Sequence, residues 1–187
     1  MIDPQLDNEN EEPTASANSE LEAQLDEVSI ETEEVAKRQR RITSQIAIAH
    51  PRESIWQVLT DYESLPEFIP NLEKSQRLEH PEEEEDKVRL EQVGKQRFMK
   101  MNFSARVVLD LTEMPPERID FEMVEGDFKA FSGYWALQPN ENATALIYSI
   151  FVWPIRTMPV TLIERRLSQD LSLNLVAIRQ RVNELFG

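Results

Sequence analysis

Residues 158–187 read MPVTLIERRLSQDLSLNLVAIRQRVNELFG, and within them Val160, Ile163, Leu167, Leu171, Leu175, Ile178, Val182 and Leu185 recur in steps of three and four. That spacing predicts one amphipathic helix. At 1.5 Å per residue it runs roughly 40 Å, with Pro159 suited to its first turn, Glu164 near its start, and Arg179 and Arg181 near its end, where the helix dipole favours them. Most strand-like segments precede it. The economical architecture is therefore a sheet gripping one long C-terminal helix, with the functional site in the space between them.

Working back from that helix, period-two alternation dominates. Residues 145–153 are apolar on both sides apart from Tyr148 and Ser149, and Phe131, Gly133, Trp135 and Leu137 share one side of the strand before. Ile119, Phe121 and Met123 alternate with Asp120 and Glu122, ahead of Gly126. The longest alternation sets Met99, Met101, Phe103, Ala105, Val107, Leu109 and Leu111 against Lys100, Asn102, Ser104, Arg106, Asp110 and Thr112. Leu72–Leu78 and Val88–Gly94 read as a strand pair around the acidic loop His80–Asp86, which is expected in solvent. Near the start, Ile42, Ser44, Ile46 and Ile48 mark another strand, and Val28, Ile30 and Thr32 either extend it or form a separate edge piece. Pro51 opens a short helix striped by Ile55, Val58 and Leu59. The following DYESLPEFIPN, 61–71, has prolines that stop a long helix, so a compact turn packed through Tyr62, Leu65, Phe68 and Ile69 is expected. Meandering strands with helices segregated to one face make an α+β domain.

Charge is unevenly spread over the 187 residues: of a formal −15, residues 1–36 hold twelve acids and no Lys or Arg, while the other 151 hold 20 basic and 23 acidic residues. Residues 1–26 are expected to be a disordered acidic tail, 27–40 a linker or edge strand, and 41–187 the folded domain. The cluster Lys37, Arg38, Arg40 and Arg41 either neutralises the acids before it or meets an anionic surface. The acidic balance argues against nucleic acid as a partner. With no Cys, disulfides and thiolate metal sites are excluded, and His50 and His80 are the only histidines, so neither a metal nor a cofactor is expected. No apolar run is long enough to span a bilayer and no leader precedes the acids, which makes a soluble, cytoplasmic protein the expectation, peripheral to a membrane at most. There is no G-x-S-x-G elbow, phosphate loop or H-E-x-x-H pair, and no catalytic residue is assigned.

The order helix, D-Y-x-x-L-P-x-F-I-P-N, strands, E-G-D-F at 125–128 and P-x-x-L-I-E-R-R-L at 159–167 resembles the START and birch-pollen-allergen superfamily (SRPBCC). Within it, the chain is similar to the polyketide cyclase/dehydrase and coenzyme-Q-binding START-type branch, in versions familiar from cyanobacteria and plastids. The resemblance covers roughly residues 41–185. It implies a helix-grip fold with a hydrophobic cavity between curved sheet and last helix, in members that carry lipids, sterols, quinones or polyketides and in some cases cyclise them. It supplies no catalytic signature to transfer.

Strand parity and the helix stripe then nominate the ligand-binding residues: Met99, Met101, Phe103, Phe121, Met123, Trp135, Tyr148, Leu167 and Leu171. Flexible thioethers suit an irregular apolar ligand, but the same side chains also serve as ordinary core filling. The Tyr148 hydroxyl needs a partner when buried, either a ligand head group or a neighbouring backbone group. Trp153, Ile155 and Arg156, in the connection to the last helix, are candidates for transient membrane contact, set against a simple packed connection. The leading expectation is noncatalytic binding or transport of a hydrophobic small molecule: a lipid, isoprenoid quinone or pigment precursor. The alternatives are a cyclase/dehydrase-type enzyme and an interaction module that uses the acidic tail.

Overall fold

The computed structural model describes residues 15–81, 86–98 and 101–187, without the side chains of 15, 96–98 and 101–103. Its frame is a curved sheet of eight antiparallel strands: β1 Ser29–Ala36, β2 Gln39–Ile48, β3 Leu72–Leu78, β4 Lys87–Phe98, β5 Met101–Met114, β6 Arg118–Gly126, β7 Ala130–Asn140 and β8 Ala143–Trp153. The spatial order is β1-β2-β8-β7-β6-β5-β4-β3. Every consecutive pair from β3 to β8 is a meander neighbour, and β2 closes on β8 at the far side. Helix α2, Arg52–Thr60, and α3, Val160–Phe186, cover one face. This is the helix-grip fold.

Helix α3 forms where the periodicity puts it, and Ile163, Leu171, Leu175, Ile178 and Val182 are buried. Leu185, the last residue of the stripe, is 54% exposed. The charges near its ends serve tertiary contacts instead of the dipole: the first turn holds no acid and the last no base. Glu164 receives Arg40 Nε at 2.7 Å, Arg179 pairs with Glu27, and Arg181 with Glu67.

The fold reaches further toward the N-terminus than expected. Residues 1–14 lie outside the described residues, but Ala15–Asp26, within the segment read as a disordered tail, forms helix α1. Composition could not anticipate this, because the surface that orders the segment belongs to α3. Leu25 packs on the main core, and Gln24 accepts a hydrogen bond from Gln180 at 2.9 Å. Of the two alternatives for Val28, Ile30 and Thr32, the separate edge strand is observed. Strand β1 lies on β2 with Glu33 against Arg41 and Glu34 against Arg40, so part of the basic cluster does neutralise the acids beside it.

The DYESLPEFIPN segment folds as a 3-10 turn at Leu65–Glu67 that docks on the open end of the sheet. Its anchor is Tyr62, 3% exposed, whose hydroxyl donates to Glu113 Oε1 at 2.5 Å. Asn71 ends the segment with φ 63°, a left-handed conformation that Asn tolerates better than most residues. Its carbonyl accepts from Lys95 N at 2.8 Å and its amide donates to Asp170 on α3 at 3.2 Å. His80 departs from the solvated loop expected of it: its side chain is only 10% exposed and lies 3.5 Å from Asp110. Residues 82–85 of that loop lie outside the described residues.

Candidate functional site

Pairing register divides the sheet into two chemically distinct faces. Ile42, Ser44 and Ile46 on β2 stand opposite Ile150, Tyr148 and Leu146 on β8, and Tyr148, Ile150 and Val152 stand opposite Trp135, Gly133 and Phe131 on β7. Gly133 and Trp135 meet Phe121 and Ile119 on β6, and Phe121 and Met123 meet Leu111 and Leu109 on β5. All of these share the face that the helices cover. The alternate row carries Arg106, Asp110, Thr112, Arg118, Asp120, Glu122, Ser132, Tyr134, Ser149 and Phe151.

On the inward face the aromatic rings form a continuous rib. Phe128 and Phe131 lie 5.5 Å apart, Phe131 and Phe121 5.8 Å, and Phe121 and Tyr148 6.1 Å, and Tyr148 stacks on Trp135 at 3.6 Å and 10°. Gly133 makes room for it. A Cβ there would come within 2.0 Å of Ser149 O and 2.7 Å of Phe121 Cζ. Helix α3 lies closest to β2 and α2 and also reaches α1, β1 and β8. Its Leu171, Leu175, Ile178 and Val182 share one core cluster with Leu109, Leu111 and Phe121, whereas Val107, Met123, Phe131, Trp135 and Tyr148 face inward yet are only half-buried.

Tyr148 lies deep in the interior. Burial, and then the negative charge of Asp170, push its pKa well above the ordinary tyrosine value, so it is a neutral phenol at any physiological pH. Two other buried oxygens, Ser44 Oγ and Asn174 Oδ1, have no hydrogen-bond partner among the described residues.

Of the nine nominated residues, the structure brings Phe121, Met123, Trp135 and Tyr148 together on the rib, with Leu167 half-buried beside it. Leu171 is 2% exposed and belongs to the packed core. Met99 lies outside the described residues, and so do the side chains of Met101 and Phe103. Sequence parity had already put Phe131 on the right face without nominating it, whereas Asp170 carried no signal that could link it to Tyr148. In the connection to α3, Met158 is buried with Val152 and Ile163 as a packed junction, Trp153 is half-buried under Lys129 at 4.8 Å, and Ile155 and Arg156 are exposed.

The opposite face holds an open groove of about 800 Å³, lined by Arg41, Thr43, Asp110, Arg118, Asp120, Tyr134 and Ser149 among others. Its polar groups satisfy one another. Arg89 clamps Asp110 at 2.5 and 2.7 Å and holds its pKa below the usual carboxylate range. Arg118 pairs with Asp120 at 2.7 Å while lying 3.9 Å over the Tyr134 ring, and Thr43 shares a 2.8 Å hydrogen bond with Ser149. Such a surface is suited to water and not to an apolar ligand. Among the described residues, no group of three or more His, Asp and Glu side chains could hold a metal ion, and no helix is long and apolar enough to cross a membrane.

Comparison with known proteins points the same way as the geometry. The family model described as "Polyketide cyclase / dehydrase and lipid transport" matches residues 48–176. Three solved structures illustrate the likeness of fold. TTHA0849 from Thermus thermophilus has a TM-score of 0.68 at 18% identity over 79% of this chain and 99% of that one. A STAR-related lipid transfer protein from Xanthomonas axonopodis has 0.68 at 13%, over 84% and 94%. The Zhui aromatase/cyclase from a Streptomyces species has 0.67 at 14%, over 78% and 94%. At these identities the likeness is one of fold alone. No curated protein matches the sequence.

Proposed function

The chain belongs to the polyketide cyclase/dehydrase and lipid transport family, and from that premise we propose that it binds and carries a hydrophobic small molecule between the sheet and α3, without chemical turnover. The observation that carries this reading is a row of side chains on the face the helices cover, Met123, Phe131, Trp135 and Tyr148, that point inward yet stay only half-buried. Burial of a ligand there contributes about 25 cal/mol per Å² of apolar surface, before the costs of association. The lipid transfer protein and the aromatase/cyclase with this fold support both a carrier and an enzyme. The chemistry of the interior favours the carrier. A cyclisation needs a base, and Tyr148, with its pKa raised, is a proton donor at neutral pH. Exposed Ile155 and Arg156, beside Trp153, are where such a carrier would touch a membrane to load and release.

The test is native mass spectrometry, with organic extraction, of the protein purified from the cells that make it. A stoichiometric apolar compound is expected, and it should be lost in Phe131→Asp while circular dichroism stays unchanged. An empty protein that also fails to bind pyrene would overturn the reading.

A further inference from the structure

In a chain of net charge −15, the end of the molecule where β8 passes into α3 is basic. Strands β1 and β2 join there through Lys37 and Arg38, and Arg38 takes φ 65°, a left-handed conformation uncommon outside Gly and Asn. Its own guanidinium holds it there, donating to the carbonyls of Ile155 and Met158, both at 2.9 Å. The hairpin tip is thereby fastened to the connection before α3, with Lys37 beside it. From the other side, Lys129 donates its backbone amide to Trp153 O at 2.9 Å and sets its ammonium 4.8 Å over the Trp153 ring. Arg165 follows Glu164, the residue that Arg40 binds.

Several of these cations are left over. Lys37, Lys129, Arg156 and Arg165 are exposed, and none has a carboxylate within ion-pair distance among the described residues. By contrast, Arg52, Lys74, Arg106 and Arg118 each reach one. The acids interleaved with the cluster are already engaged: Arg40 takes Glu34 and Glu164, and Asp127 accepts from the backbone amide of Arg106. The first turn of α3, the positive end of its dipole, holds no acid. Amid these charges Ile155 is 36% exposed and Trp153 is half-buried. An apolar side chain and an indole ringed by cations suit a membrane interface, whereas an acidic polypeptide would use the charge and gain nothing from the isoleucine. The acidic segment at the start of the chain does not cancel the field. Its helix α1 meets α3 at Arg179 and Gln180, about 30 Å along the helix and several Debye lengths away at physiological salt. We propose that this end docks on an anionic lipid surface, with Ile155 entering the interface and Lys37, Lys129, Arg156 and Arg165 lying over acidic headgroups. The proposal rests on the carrier function and adds to it the charge of the membrane that is served.

Flotation of the full chain with vesicles tests it, using phosphatidylcholine alone and an equal mixture with phosphatidylglycerol. The protein should float with the mixed vesicles and not with phosphatidylcholine, and should be released at about 1 M salt, where screening is nearly complete. Arg156→Glu should weaken binding by about fivefold or more, the worth of at least one cation at such a surface. Arg52→Glu, the same change of charge beyond the far end of β2, should leave binding within about twofold. Equal weakening by the two reversals, or equal flotation on phosphatidylcholine, overturns the proposal. If Ile155→Ser changes nothing and poly-glutamate competes as well as the mixed vesicles, the surface takes an acidic polypeptide and the lipid assignment is overturned. Pyrene reports on the carrier reading separately. A protein that binds pyrene but no vesicles loses the docking surface alone, and one that floats without binding pyrene loses the carrier function alone.

Discussion

Gly133 shows how one residue sets the shape of the interior. A methyl group at this position would collide with Ser149 O and with the Phe121 ring. Gly133→Ala should therefore lower stability by about 1–3 kcal/mol, or more if the strand cannot shift, as overpacking does. A fall in the urea midpoint, together with a change in Trp135 fluorescence as the rib is displaced, checks it. Parity in the sequence put Gly133 among inward-facing residues, but nothing local said that Phe121 would lie over it. That contact joins residues on different strands. The same limit explains Asn71, visible in the sequence only as part of a turn motif and in the structure as the tie between β4 and α3.

The elements were legible in proportion to how far each depends on its own periodicity. Helix α3 and the alternating strands announce themselves because one face of each must be buried. Helix α1 does not, since its polar sequence has little to bury and is ordered by α3. Removing residues 1–26 should accordingly lower stability by only roughly 1–2 kcal/mol, the value of Leu25 and a few polar contacts. Pyrene binding should be unaffected. Loss of binding on truncation would tie the acidic segment to the site. At the other end of the hairpin, Arg38 donates to the carbonyls of Ile155 and Met158, both at 2.9 Å, and Arg40 binds Glu164. The basic cluster thus holds the start of α3 in place, a role its charge alone does not reveal.

At the scale of the molecule, the sheet separates an apolar inner surface from an outer lattice of ion pairs, and the lattice makes stability depend on acidity. Hydrogen bonds from Lys74 and then Arg106 lower the pKa of Glu91, and Arg89 does the same for Asp110. Both carboxylates release protons more readily folded than unfolded, so their contribution is present above the ordinary carboxylate range near pH 4 and is lost as pH falls through the depressed folded values. Urea midpoints should be flat from about pH 6 to 8 and decline below about pH 4, and the decline should be shallower in Asp110→Asn. A decline of unchanged steepness in that variant would place the acid sensitivity elsewhere. By itself the sequence determined the long helix, the strands, their inward rows and hence the helix-grip architecture, because each follows from a short-range period that any folded state must bury. Only the tertiary structure decided which inward residues are fully buried and which stay half-buried. That depends on how a curved sheet meets the helix it grips, a fit set by residues far apart in the chain.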